Sequence, residues 1–96
     1  MTPTQKELLV KGLLSDWAPL EGSGQYAAAR SMSAKGWINQ QWSVNRNTIT
    51  QAGKDALALN SPPVEIFDGL LLKDGRPIAR ILPGQLHLVE ELINAN

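Results

Sequence analysis

Residues 34–57 read AKGWINQQWSVNRNTITQAGKDAL, and this stretch decides the fold. Gly36 stands where a helix would stop, because only glycine enters the left-handed region without steric cost. From Trp37 to Val44 apolar and polar residues alternate, with Ile38, Trp42 and Val44 on one side and Asn39, Gln41 and Ser43 on the other, which predicts a strand. Asn45-Arg46-Asn47 has turn chemistry, Thr48 and Ile49 return as a short second strand, and Thr50 is a good N-cap for a helix over 51–59. Trp37 and Trp42 could stack on bases, but such residues are more often core, and the parity of the strand puts Trp42 inward.

Upstream, residues 25–35 are rich in Ala, Met and Arg with no internal proline or glycine, so a helix is expected there. Asp16 to Gly24 contains Pro19, Gly22 and Gly24 and reads as a loop, with Trp17 closing the first helix against the core. That first helix is expected over 4–15, capped by Thr4 with Glu7 in the capping-box position, and Leu8, Leu9, Gly12 and Leu13 form its apolar face.

Downstream, Pro62-Pro63 ends the unit. Val64–Leu72 and Pro77–Leu82 flank Lys73-Asp74-Gly75-Arg76, and Asp-Gly between apolar runs signals a hairpin. Val64, Ile66, Leu70 and Leu72 are expected on one face, Phe67 and Leu71 on the other. Pro77 cannot donate to a ladder and belongs on an edge strand. Pro83-Gly84 then introduces a closing helix with Leu86, Val89, Leu92 and Ile93 on one face. A hairpin apolar on both sides needs two covers, and a homodimer through residues 64–82 would supply one.

The order helix, loop, helix, hairpin, helix resembles the winged-helix DNA-binding domains of multiple-antibiotic-resistance regulators and many small prophage proteins. Two motifs carry the likeness. One is Ala34-Lys35-Gly36-Trp37-Ile38, similar to the step from recognition helix to wing; the other is Ile49-Thr50-Gln51-Ala52-Gly53 through Leu57, similar to the Thr-x-x-Gly-x-x-x-Leu element after the wing. The expected architecture is α+β in a single domain, 1–96, with a winged-helix-like part over 4–59 and a hairpin–helix extension over 60–96. The family pattern has a short support helix before the recognition helix. Here Trp17-Ala18-Pro19-Leu20-Glu21-Gly22 takes that place, and Pro19 and Gly22 make it poor helix.

The resemblance implies double-stranded DNA as partner. Helix 25–35 would present Gln25, Arg30, Ser31 and Lys35 to the major groove or its phosphates, the turn would bring Asn45, Arg46 and Asn47 to the backbone or minor groove, and Lys54 would add a phosphate contact. Charge agrees in distribution, though nine basic and nine acidic residues cancel. No acid lies between Glu21 and Asp55, where Arg30, Lys35, Arg46 and Lys54 give +4, against −1 before and −3 after. The expected function is a regulator or accessory factor, of a phage or mobile element; the alternative is a non-catalytic protein–protein interaction module on the same scaffold.

Other chemistries have little to stand on. The absence of cysteine removes disulfides, thiolate zinc sites and cysteine nucleophiles, and makes a reducing cytoplasm the expected location. His87 is the one histidine, expected on the solvent side of the closing helix beside Glu90-Glu91. The acids show no metal-ligand spacing, Gly22-Ser23-Gly24 is no phosphate loop, and no signal peptide or membrane span is expected. Neither an enzyme nor a cofactor is expected.

Overall fold

The computed structural model describes residues 1–94. Helix α1 spans Pro3–Ser15, not 4–15, and its capping box is made by Thr2 and Gln5 in place of Thr4 and Glu7. The Thr2 hydroxyl accepts from the Gln5 N–H at 3.2 Å, while Gln5 Oε1 accepts from the Thr2 N–H at 3.0 Å. The cap moves because Pro3 fits the first helical position, where its missing N–H costs nothing. α1 is the hub, touching α2 (Ser23–Ala34), α3 (Gln51–Leu59) and strands from both sheets. Leu8, Leu9, Val10 and Gly12 of α1 are buried, which uses more than one side of the helix.

α2 ends in a Schellman motif: Trp37 N–H bonds Met32 O at 2.9 Å and Gly36 N–H bonds Ser33 O at 3.0 Å, with Gly36 at φ 77°. The expected strand 37–44 is shorter. β1 covers Ile38–Gln41, Trp42–Val44 form a 3₁₀ turn, and Asn45 takes the left-handed conformation before β2 (Arg46–Ile49). Parity inside a turn says nothing about burial, so Trp42 and Val44 are 49% and 64% exposed, contrary to a core position. Trp17 is 39% exposed and does not close the core either.

Each residue of the Thr-x-x-Gly-x-x-x-Leu element has a physical task. The Thr50 hydroxyl accepts from Gly53 N–H at 3.1 Å and donates to Gly36 O, tying the start of α3 to the end of α2. At Gly53 a β-carbon would lie 2.2 Å from the Trp37 carbonyl oxygen, so the absent side chain lets α3 lie against the root of the hairpin. Leu57, 1% exposed, joins the core and abuts Gly75 of the C-terminal sheet.

The C-terminal part is a three-stranded meander, not a single hairpin: β3 (Val64–Phe67), β4 (Leu70–Lys73) and β5 (Arg76–Arg80) pair antiparallel in chain order. Asp68-Gly69 and Asp74-Gly75 both have positive φ at both residues, as two-residue type I′ hairpin turns require. The first turn breaks the expected run 64–72 and reverses its parity. Phe67 pairs with Leu70 and Glu65 with Leu72, so Leu70 and Leu72 share a face with Phe67 and Glu65, and Val64 and Ile66 lie with Leu71. Pro77 falls on edge strand β5, as its missing N–H demands.

The Leu70–Leu72 face joins one core cluster with Leu8, Leu9, Val10, Met32, Ile38 and Leu57. Lys6 of α1 pairs with Glu65 and lies over the Phe67 ring, 5.0 Å from its centroid. After a 3₁₀ turn at Pro83–Gln85, α4 (Leu86–Asn94) contacts β3. Val89 and Ile93 are half-buried on it, Leu86, Leu88 and His87 exposed. Among the described residues no helix is long and apolar enough to cross a membrane.

Candidate nucleic-acid interface

The buried side of α2 is Ala29 and Met32, which seat it on α1 and β1. Ser23, Gly24, Ala27, Arg30, Ser31 and Ala34 recur on the opposite side and are all exposed. The helix is therefore open to solvent and does not lie beneath the C-terminal sheet. Where a support helix would precede it, residues 16–22 form a loop.

The β1–β2 hairpin folds back along α2. Lys35, at the end of the helix, has its ammonium 4.6 Å from the centroid of Trp37, at the root of the hairpin. At the tip, Trp42 stacks on Tyr26 with centroids 6.1 Å apart and planes 18° apart, and the Arg30 guanidinium carbon lies 5.8 Å from the Trp42 centroid. Tyr26 and Arg30 are one helical turn apart, so both reach the indole from the helix side. Arg46 is exposed in β2 opposite Gln41. Outward-facing Asn39, Gln41, Arg46 and Thr48 make the solvent side of the hairpin a surface of amides, one hydroxyl and one cation.

The other sequence-derived candidates are used differently. Asn45 joins its side-chain amide to both backbone groups of Leu20, accepting from the N–H and donating to the carbonyl, each at 3.1 Å. Asn47 is buried: its Nδ2 donates to Ala18 O at 2.6 Å, and its own carbonyl accepts from Ala18 N–H at 3.0 Å. These two residues hold the 16–22 loop against the hairpin, so they support the surface and do not form it. Strand parity contained the signal for Asn47, which lies two residues from inward-facing Ile49. Gln25 accepts from the Glu21 N–H at 2.7 Å, at the entrance to α2. Ser31 accepts from Gln5 Nε2 at 3.3 Å. Lys54 is half-buried and shares a hollow with Leu13, Arg76 and Pro77, on the side of the C-terminal sheet.

Asn47→Ala is expected to lower the denaturant midpoint by an amount equivalent to about 1–3 kcal/mol, because a buried carbonyl loses its partner. An unchanged denaturant slope would show that the native fold is retained.

Sequence reasoning weighs base stacking by Trp37 and Trp42 but favours the core, and it does not single out Tyr26. A signal exists in the cost of burying three indoles in 96 residues, each needing an N–H partner. Among the described residues no group of three His, Cys, Asp or Glu could hold a metal ion. No protein family, curated protein or solved structure matches the chain.

Proposed function

We propose that this protein binds double-stranded DNA through α2 and the adjacent hairpin, as a regulator or accessory factor. The observation that carries the reading is the approach of Arg30 to Trp42. It joins the open helix to the hairpin tip inside the segment from Gly22 to Lys54, which contains no acid. Lys35 and Arg30 mark the root and the tip on the helix side, with Ser31 between them, and Arg46 adds a cation on the solvent side of the same hairpin. The small side chains Gly24, Ala27 and Ala34 let a backbone or groove wall approach closely, while the exposed Arg30 guanidinium beside Trp42 offers N–H donors to a base edge or a phosphate.

Three cations give moderate affinity to one chain, so tight binding calls for two copies. Val64 on β3 and Ile78 on β5 are exposed at opposite edges of the sheet, so either edge within residues 64–82 is open to such pairing. The same exposed apolar residues, with Leu86 and Leu88 of α4, favour the second reading, a protein-interaction module.

Salt dependence separates the two. The variant Arg30→Gln/Lys35→Gln/Arg46→Gln is expected to flatten the slope of log affinity against log salt by about 2–3, roughly one for each phosphate no longer neutralised. Fluorescence anisotropy with a labelled duplex reads both slopes. No binding by the wild type at low salt would exclude the DNA reading and leave the interaction module.

A further inference from the structure

Two tryptophans expected in the core instead flank the hairpin tip, from different sides. On the side of α2, Trp42 is held by Tyr26 and Arg30 yet keeps about half its surface open. On the solvent side, Trp17, Gln41, Val44 and Arg46 line an open hollow of about 520 Å³. Asp16 ends α1 in the left-handed conformation at φ 61°, and Ala18 is then buried and bonded to Asn47, which leaves Trp17 outside between two fixed residues.

The chemistry of this hollow is specific. An indole and a Val44 side chain provide apolar walls, Arg46 a cation, and Gln41 an amide able to donate and accept together. A duplex presents phosphates, sugars and base edges, none of which needs an aromatic wall. An unpaired nucleotide presents a flat π-face, a hydrogen-bonding edge and a phosphate, and each has a counterpart here. We infer that the Trp17–Arg46 hollow is a stacking seat for an unpaired base, so that the preferred ligand is DNA with a single-stranded tail or gap beside the duplex. This rests on the reading that the hairpin meets DNA, and it narrows the class of DNA.

The test compares a blunt duplex, the same duplex with a six-nucleotide oligothymidine tail, and the free single strand. The tailed duplex is expected to bind roughly ten-fold more tightly than the blunt one, within the range that one stacked base supplies. Trp17→Ala is expected to abolish that ratio and leave blunt-duplex affinity unchanged, while Trp17→Phe keeps most of it. Equal affinity of wild type for blunt and tailed duplex overturns the inference and leaves the duplex reading standing. A tail preference that survives Trp17→Ala overturns it too. Tight binding of the free strand with none of the blunt duplex upholds the stacking seat and overturns the duplex reading. Should Trp17→Ala fail to fold, fluorescence decides: the tail must quench the wild type more than it quenches Trp17→Phe, and equal quenching overturns the assignment.

Discussion

Gly53→Ala is expected to destabilise the protein by about 3 kcal/mol or more, the upper part of the range for overpacking a fixed site. For a domain of this size that is a fall in Tm of about 12–24 °C. Helix propensity alone points the other way, since alanine in a helix gains up to about 1 kcal/mol over glycine. Magnitude settles the sign. The added methyl would lie 2.2 Å from Trp37 O and 2.9 Å from Ile49 Cγ1, and the first of these is backbone, which cannot swing aside. That carbonyl also accepts the Thr50 N–H at 3.0 Å, so moving it breaks the bond that closes the hairpin root onto α3. Gly24→Ala in α2 is the control: nothing lies within 4 Å of a β-carbon there, and a neutral to slightly stabilising change is expected. Differential scanning calorimetry of the two variants reads the contrast. Equal melting temperatures would mean that α3 does not lie against Trp37 as described.

The second large effect is expected at Leu72, whose side chain is fully buried in the middle strand of the C-terminal sheet. Truncation to alanine should cost about 2–5 kcal/mol through reduced burial and the cavity left behind. Its value lies in where the effect is read. All three tryptophans, Trp17, Trp37 and Trp42, belong to the N-terminal part. If Leu72 shares one core with Leu9 and Leu57, the unfolding transition followed by tryptophan fluorescence shifts as far as the one followed by far-ultraviolet circular dichroism. A shift confined to the dichroism signal would show two units that melt separately.

Local chemistry was legible in the sequence wherever one residue imposes one conformation. Gly36 ends α2, Thr50 caps α3, Asn45 takes the left-handed turn position and Asp74-Gly75 closes a hairpin, because each depends on a few neighbouring atoms. Asp68-Gly69 was equally readable by the same rule, but it is embedded in an apolar run, and that continuity masked the turn and with it the parity of Leu70 and Leu72. Position in space was less legible. The placement of Trp42 depended on how long β1 is, and pairing stops at Gln41–Arg46. Of the candidate site, Arg30, Lys35 and Arg46 stand exposed as the residue pattern suggested, whereas Asn45 and Asn47 are taken up by Leu20 and Ala18. A turn asparagine gives no sign in sequence of whether a loop twenty-five residues upstream will claim its amide. Lys54 lies with Arg76 because α3 turns that flank toward a sheet that local pattern does not position.

The two asparagine clamps have a kinetic meaning. With Leu20 and Ala18 fastened to the strand that carries Arg46, the tip and the segment bearing Trp17 form a rigid jaw whose conformational freedom is surrendered during folding, not at encounter. Ordering a mobile side chain on association costs about 0.5–1.5 kcal/mol each, and a pre-set jaw avoids that cost. If the hairpin meets DNA as proposed, capture needs no slow rearrangement of this segment, and differences in grip between ligands are expected in how long they stay.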